Sequence, residues 1–297
     1  MVAERNAVLT LATDFLFARR KPFVIAGPCA LESEGLALEV GREVKRLCAR
    51  MGVPYVFKAS FDKANRSSID SYRGPGLERG LKALGRVRDT LGVPALTDVH
   101  EPGQAALVAA VADVLQVPAF LCRQTDLLVA CGATGKPVNV KKGQFVAPAN
   151  MDEAVRKIAA AGGKALLCER GASFGYNNLV VDFTGLPVLR GFAPVVFDAT
   201  HSVQLPGGRG ASSGGRSEYV EHLACAAAAV GCDGYFFETH PNPAKALSDG
   251  PNMVPLKDFP RVLKRVLEHD ALTRKNPPKT AVPPLRGSGR GRSKAAR

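Results

Sequence analysis

The run 58–68 places three cations and several small hydroxyl or amide donors directly after an apolar stretch, 53–57, that is typical of a buried strand. The donors of interest are Lys58, Ser60, Lys63, Asn65, Arg66 and Ser67. Carboxylates and phosphates bind where charged and directional donors converge, and Lys, Arg and Ser side chains supply both kinds. The run therefore predicts one wall of an anion pocket, with a solvated basic loop as the alternative.

Eight short apolar runs of this kind occur along the chain. They are 23–26, 53–57, 93–96, 114–118, 137–140, 165–168, 194–197 and 234–237. Most are spaced by roughly 20 to 40 residues, which leaves room for a crossover helix, and 36–51, 77–91 and 154–161 have helical apolar spacing. Runs without polar alternation are typical of a parallel sheet covered on both faces. The pattern predicts a single α/β domain, a (β/α)8 TIM barrel, with an open doubly wound sheet as the alternative.

Polar side chains follow nearly every one of these runs. They include Cys29, Lys58, Asp98, Arg123, Lys141, Arg170, His201 and Glu238. In such a barrel the carboxyl ends of the strands form one mouth, where catalytic side chains gather. Alternation along a strand places Lys58 and Ser60 on one face, and likewise Cys168 and Arg170. A mouth with this many cations predicts a substrate that carries more than one anionic group.

Length and composition favour one enzyme domain. The chain has 297 residues and no apolar run near the ~20 residues that would span a bilayer. We expect 23–271 to form the barrel, and 1–22 to close its floor as a short strand or hairpin. The seven cysteines are scattered and odd in number, which indicates reduced thiols in a cytoplasmic protein.

The segment 272–297 has a different composition. After Asp270 come eight cations, no acid and four prolines. Such a segment cannot build a core, so we predict a disordered basic tail. Lys/Arg tracts can bind nucleic-acid phosphates, but no aromatic residue interleaves these cations, which makes a nucleic-acid partner the less favoured interpretation.

Four separated residues could together hold a divalent metal ion. They are Cys29, His201, Glu238 and Asp249. A thiolate, an imidazole and carboxylates suit a borderline ion such as Fe²⁺, Zn²⁺ or Mn²⁺. No spacing typical of a metal motif is present, His240 is an alternative to His201, and a cysteine after a Gly-Pro turn is often a small buried residue. The residues alone leave this site open.

Seven segments, in one order between about Phe23 and Ala271, resemble a known family. They are 25–33, 57–68, 118–126, 139–145, 169–171, 174–182 and 198–206. Together they are similar to 3-deoxy-D-manno-octulosonate 8-phosphate synthase. The resemblance implies a homotetrameric (β/α)8 transferase of lipopolysaccharide precursor synthesis. Such an enzyme condenses phosphoenolpyruvate with arabinose 5-phosphate and releases phosphate, and two phosphorylated substrates would account for a cationic mouth.

The resemblance also implies site roles. The residues matching the phosphoenolpyruvate site are Lys58, Ser60 and Lys63 at the carboxylate, with Lys141 and Arg170 at the phosphate. Those matching the arabinose 5-phosphate site are Asn65, Arg66 and Ser67, with Asp98 facing the hydroxyls and Gln144 added from the run 139–145. Arg123 matches a residue that reaches the sugar phosphate from a neighbouring subunit. Lys58, Lys63, Asp98, Lys141 and Arg170 are the expected catalytic set.

The same resemblance bears on the metal. Cys29, His201, Glu238 and Asp249 match the four ligands of the metal-dependent class. The metal-independent class carries Asn at the position of Cys29, so Cys29 indicates the metal-dependent class, with Fe, Zn, Mn or Co as the ion. The run Asp249-Gly-Pro251 is itself similar to the metal-independent class.

Three other functions remain alternatives. The first is the sibling 3-deoxy-heptulosonate 7-phosphate synthase, which uses erythrose 4-phosphate. The run Lys-Ala-Asn-Arg-Ser at 63–67 argues against it, because the sibling family has a run resembling Lys-Pro-Arg-Thr-Ser there. The second is a metal hydrolase on the same barrel, and the third is nucleic-acid binding through the basic tail.

Overall fold

Eight parallel strands form the centre of the molecule, seen in a computed structural model that describes residues 13–66, 68–207 and 213–278. They are β1 (Phe23–Gly27), β2 (Tyr55–Lys58), β3 (Ala95–Asp98), β4 (Val114–Val117), β5 (Pro137–Lys141), β6 (Lys164–Glu169), β7 (Val195–Asp198) and β8 (Gly234–His240). Neighbours pair in chain order, and β1 also pairs with β8, which closes the sheet into a barrel. The predicted (β/α)8 barrel is confirmed, and all eight predicted runs are strands.

Helices surround this barrel. They are α1 (Phe15–Ala18), α2 (Glu34–Arg50), α3 (Leu77–Leu91), α4 (Ala105–Ala109), α5 (Thr125–Ala133), α6 (Asp152–Ala160), α7 (Gly185–Arg190), α8 (Val220–Val230) and α9 (Phe259–Lys275). Ser33 caps α2 by accepting a hydrogen bond from the backbone N–H of Leu36, and Gly92 ends α3 in the left-handed conformation. Their apolar faces pack on the outward side chains of the strands to form the larger core.

Alternation along the strands divides the barrel interior into two levels. Inward residues near the strand starts are apolar: Phe23, Ile25, Val56, Leu96, Val114, Leu166, Val196 and Phe236. Two residues further along the same faces the side chains become polar, as at Lys58 after Val56 and Glu238 after Phe236. The two-residue alternation of side chains along each strand therefore produces an apolar floor near the strand starts and a polar mouth at the strand ends.

The floor is closed by a helix. The prediction of a strand or hairpin for 1–22 is wrong for the described part of that segment, where α1 turns Leu16 fully into the barrel interior beside Phe23 and Ile25. Residues 1–12 lie outside the described residues. Three consecutive apolar residues, 15–17, occupy a single helical turn, which is too short for any periodic signal in the sequence.

The C-terminal boundary also differs from the prediction. Helix α9 continues past residue 272 to Lys275, and Arg274 donates hydrogen bonds to Asp270 and to the backbone carbonyls of Arg19 and Cys232. The first four residues of the predicted tail, 272–275, are therefore helical. Residues 279–297, on which most of the predicted tail falls, lie outside the described residues. No helix among the described residues is long and apolar enough to cross a membrane.

Replacing Leu16 with alanine tests the helical floor. Because Leu16 is completely buried, Leu16→Ala should lower the free energy of unfolding by about 3 kcal/mol. That corresponds to a fall in Tm of at least about 5 °C. Leu272→Ala is the matched control, since Leu272 is 64% exposed on α9. Equal melting temperatures for the two variants would show that α1 does not close the barrel.

Candidate active site

A cavity of about 750 Å³ opens at the carboxyl ends of the strands. Most of the residues proposed for the site from the sequence line it: Lys58, Lys63, Asn65, Arg66, Asp98, Lys141, Gln144, Arg170, His201 and Asp249. Ser60, Cys29 and Glu238 are completely buried and make direct contacts with these lining residues. Arg123 does not line this cavity, and Ser67 lies outside the described residues.

Glu238 is the buried anion around which the lysines of the mouth converge. Lys58 Nζ donates to Glu238 Oε1 and, at 2.8 Å, to the backbone carbonyl of Cys29. Lys63 Nζ lies 3.9 Å from the same Glu238 oxygen. Burial alone would raise the pKa of Glu238, but Lys58 and Lys63 hold it well below its usual range. The carboxylate therefore stays ionised without contact with solvent.

Asp198, at the end of β7, organises a second cluster. Lys141 Nζ donates to Asp198 Oδ2 at 2.7 Å and lies 4.1 Å from the centre of the Phe236 ring. His201 Nδ1 lies 2.8 Å from the same oxygen. Because an ionised carboxylate only accepts, we assign the proton to Nδ1, which leaves the lone pair of His201 on Nε2. Burial alone would lower the pKa of Lys141, but Asp198 raises it, so the ammonium stays charged.

Arg170 extends from β6 into the cavity. Its Nη2 donates to Gln204 Oε1 at 2.9 Å, and its side chain has no carboxylate partner within ion-pair distance among the described residues. Burial lowers the pKa of Arg170, but an arginine remains charged. Next to it in sequence, Glu169 points the other way and pairs with Lys142 at 3.5 Å, both fully buried. This pair ties the ends of β5 and β6, which carry Lys141 and Arg170.

Asp98 lines the cavity and belongs to a chain of hydrogen bonds. Ser60 Oγ donates to Asp98 Oδ2, and Gln116 Nε2 donates to Oδ1 at 2.6 Å. Burial alone would raise the pKa of Asp98, but Lys63 and Lys58 hold it well below its usual range. The carboxylate is therefore a pure acceptor that faces the cavity.

Arg66 lies beside the loop that carries Asp249. Its guanidinium donates to Ser248 Oγ and lies 4.0 Å from Asp249 Oδ1. Ser248 Oγ in turn is 2.9 Å from Cys29 Sγ. A φ of +50° gives Asp249 the left-handed backbone conformation, which is uncommon for a residue other than glycine. The serine thus joins a cation of the cavity to the thiol and carboxylate below it.

Three of the proposed metal ligands form one group. Cys29, Glu238 and Asp249 each offer an atom, and these atoms lie within 4.8 Å of one another. His201 is outside this tight group, although its Nε2 is 3.7 Å from Glu238 Oε2. Glu238 Oε2 is buried and has no hydrogen-bond partner among the described residues. Burial, together with Asp249 and Glu238, raises the pKa of the Cys29 thiol. A divalent cation would satisfy the unpaired oxygen, and a thiol with two carboxylates supplies suitable ligand atoms, so the residues fit a metal.

Glycine at position 27 allows Cys29 to reach this group. A Cβ on Gly27 would lie 1.9 Å from the backbone carbonyl oxygen of Lys58, so no larger residue fits between β1 and β2.

His240, the alternative ligand, lies apart from the group. Its Nδ1 accepts from the backbone N–H of Asn242 at 2.9 Å, and its Nε2 is 3.9 Å from Glu32.

Two proposed substrate residues differ in their surroundings. Gln144 lines the cavity, and its Oε1 is buried without a partner among the described residues, which leaves an acceptor for a ligand. Arg123 is exposed beside a smaller cavity of about 310 Å³, and its backbone carbonyl accepts from Lys157 at 3.1 Å. Within one subunit Arg123 is therefore separate from the main cavity.

Sequence reasoning missed several polar residues of the site. They are Gln116, Asn139, Asp198, Gln204 and Ser248. A signal was present for Gln116 and Asn139, since each is a single polar residue inside an apolar strand and therefore points inward with its neighbours two positions away. Ser248 lies in a loop and Gln204 in a two-residue strand, Gln204–Leu205, outside the barrel, and neither segment is long enough to show a comparable periodicity.

Comparisons with known proteins identify the family of this chain. The sequence profile of the DAHP synthetase I family matches residues 11–275. The chain belongs to the DAHP synthetase I family. Within it, the chain is 59% identical over 261 residues to a protein of Nitratidesulfovibrio vulgaris, covering 86% of this chain and 95% of the relative. That relative bears the name 2-dehydro-3-deoxyphosphooctonate aldolase.

Two further relatives of the DAHP synthetase I family bear the same name. The protein of Bordetella petrii is 57% identical over 262 residues, and that of Desulfotalea psychrophila is 56% identical over 259 residues. Each match covers 86% of this chain and 92% of the relative. The family resemblance predicted from the seven sequence segments is confirmed.

Removing the Cys29 thiol should empty the metal group. Cys29→Ala, loaded with Mn²⁺ or Zn²⁺ and desalted, should retain at least tenfold less metal by elemental analysis than the unmodified protein, because a ligand is lost while the fold persists. Cys48→Ala is the matched control, since Cys48 is an equally buried thiol on α2, outside the group. Equal metal content in both variants would mean that Cys29 is only a small buried residue.

Proposed function

We propose that this chain joins phosphoenolpyruvate and D-arabinose 5-phosphate with water to give 3-deoxy-D-manno-octulosonate 8-phosphate and phosphate, as a transferase of lipopolysaccharide precursor synthesis. One observation carries the proposal: five cations from three segments of the chain line a single cavity. They are Lys58, Lys63, Arg66, Lys141 and Arg170. The names of the relatives, which denote a 3-deoxyphosphooctonate, support the same chemistry.

The cations divide between two anion sites. Lys63 suits the carboxylate of phosphoenolpyruvate, while Lys141 and Arg170, from the neighbouring strands β5 and β6, suit its phosphate. Arg66, on the side of the cavity formed by the 248–249 loop, suits the phosphate of the sugar, together with Asn65 and the residue at 67. Asp98 is then available to accept hydrogen bonds from sugar hydroxyls.

The proposed reaction forms one carbon–carbon bond. C3 of phosphoenolpyruvate adds to the aldehyde carbon of the sugar, and water adds to C2, giving a tetrahedral bisphosphate. One proton of the water goes to the former aldehyde oxygen. Cleavage of the bond between C2 and the phosphate-bearing oxygen then expels phosphate with the bonding electron pair, while the C2 hydroxyl loses its proton to the phosphate and becomes the ketone. The cations hold two mutually repelling phosphates in reacting geometry, and Lys141 and Arg170 stabilise the charge on the departing phosphate.

A divalent ion belongs to this proposal. Cys29, Glu238 and Asp249 would hold it, with His201 presenting Nε2 toward Glu238. The ion, Fe²⁺, Zn²⁺, Mn²⁺ or Co²⁺ by the softness of the ligands, would supply a Lewis acid at the base of the cavity. Asp198 fixes the His201 ring through Nδ1, so the imidazole is already oriented.

Assembly and compartment are further proposals. Arg123 is exposed and does not line the main cavity of its own chain, which suits a residue that completes the site of a neighbouring subunit. Exposed aromatic side chains near it, Phe120 and Phe145, would be covered in a homotetramer. Seven unpaired buried thiols are consistent with a cytoplasmic setting.

An aldehyde panel tests the substrate. Release of phosphate from phosphoenolpyruvate should depend strictly on arabinose 5-phosphate, and erythrose 4-phosphate should support a much lower rate. Equal or faster turnover with erythrose 4-phosphate would show that the chain catalyses the sibling reaction, the synthesis of 3-deoxy-heptulosonate 7-phosphate. Phosphate release from phosphoenolpyruvate without any aldehyde would instead indicate a hydrolase.

Substituting Arg170 tests the phosphate site. Because lysine cannot reproduce a two-pronged contact, Arg170→Lys should lose about 2 kcal/mol of transition-state stabilisation, roughly a 30-fold fall in kcat/KM for phosphoenolpyruvate. Arg156→Lys, at a mostly exposed ion pair on α6, is the control and should leave kcat/KM unchanged. Kinetics near those of the control would remove Arg170 from the site.

A further inference from the structure

A hydrogen-bond chain extends from Asp98 away from the cavity. Gln116, on β4, donates from Nε2 to Asp98 Oδ1 at 2.6 Å, and Asn139, on β5, donates from Nδ2 to Gln116 Oε1 at 2.9 Å. Gln116 lines the cavity, whereas Asn139 is completely buried and does not. Any effect of Asn139 on a ligand must therefore pass through Gln116.

The direction of this chain follows from its charged end. Asp98 accepts hydrogen bonds only, so the amide nitrogen of Gln116 must face it and the amide oxygen must face Asn139. Without a donor at position 139, Gln116 Oε1 would lose this hydrogen bond, and the contact with Asp98 alone would hold the Gln116 amide. The Asn139 donor gives that amide a second fixed point.

Two donors on different oxygens fix the plane of the Asp98 carboxylate. Ser60, two residues after β2, donates to Oδ2, and Gln116, on β4, donates to Oδ1. A carboxylate held at both oxygens keeps its remaining lone pairs in a constant direction, which a ligand hydroxyl requires.

Stability alone does not account for an amide at position 139. Asn139 Oδ1 is buried and has no hydrogen-bond partner among the described residues, which costs free energy that an apolar side chain would not. The flanking Val138 and Val140 point outward into the larger core. Among the described residues, the side chain of Asn139 makes one hydrogen bond, the one to Gln116.

We propose that Asn139 is a positioning residue, which acts through Gln116 to orient Asp98 toward a hydroxyl of the sugar phosphate substrate. The proposal rests on the function proposed above and deepens it. It assigns to a residue outside the cavity a share in binding the polyhydroxylated substrate, and no share in binding phosphoenolpyruvate.

Steady-state kinetics with both substrates test this assignment. Asn139→Leu keeps the size of the side chain and removes the donor, so the KM for arabinose 5-phosphate should rise roughly tenfold, the scale of one lost hydrogen bond. The KM for phosphoenolpyruvate should change less than twofold. Asn139→Ala, which adds no branched bulk, is measured beside it in case the leucine variant fails to fold.

Thr97→Val is the matched control. Thr97 is a fully buried polar residue next to Asp98, its hydroxyl has no partner among the described residues, and it does not line the cavity. This variant should leave both KM values unchanged. In an Asp98→Ala background, Asn139→Leu should change kcat/KM for the sugar less than twofold, because the group through which it acts is already gone.

The outcomes separate this inference from the proposed function. If the unmodified enzyme does not use arabinose 5-phosphate, the proposed function fails. If the enzyme uses it but the position 139 variants raise both KM values equally, or keep their full effect without Asp98, the positioning role of Asn139 is wrong.

Discussion

The buried charge of Glu238 is the constraint on which the rest of the mouth depends. A carboxylate sealed from water inside a barrel is costly unless cations and donors surround it, and Lys58 alone satisfies only one of its oxygens. Lys63, His201 and the thiol of Cys29 gather around the same point from other strands and loops. The arrangement balances charge among its own residues, yet keeps one carboxylate oxygen unpaired. This unpaired oxygen is the physical basis for placing a divalent ion there.

Charge compensation also explains how so many cations can face one cavity. Asp198 offsets Lys141, Glu169 offsets Lys142 on the outer side, and Asp249 lies near Arg66. Arg170 is the exception, since its cavity-facing side chain contacts neutral acceptors, Gln204 and the His201 carbonyl. A dianionic phosphate would supply the negatively charged partner that Arg170 lacks. The site is thus preorganised: the side chains hold their positions through contacts made before any substrate arrives.

Strand-level features were predictable from the sequence, and contacts between distant loops were not. Uninterrupted apolar runs identified all eight strands, and the alternation that buries Val56 also places Lys58 and Ser60 inward. Short elements lack such periodicity, so the single turn of α1 was mistaken for a strand, and α9 continues beyond its predicted end. The contact of Ser248 with Cys29 joins residues 219 positions apart, and no local pattern encodes that distance. The types of Cys29, His201, Glu238 and Asp249 indicate a possible metal site, but the residues alone leave it open, and only the family resemblance favours it.

A crystal structure with phosphoenolpyruvate and Mn²⁺ bound is the most direct test of a mouth divided into two anion sites. The account predicts the phosphate of phosphoenolpyruvate against Lys141 and Arg170, its carboxylate against Lys63, and the ion among Cys29, Glu238 and Asp249. Arg66 should remain free for the phosphate of the second substrate. A phosphoenolpyruvate phosphate bound at Arg66, or an ion outside the Cys29 group, would contradict this division of the cavity.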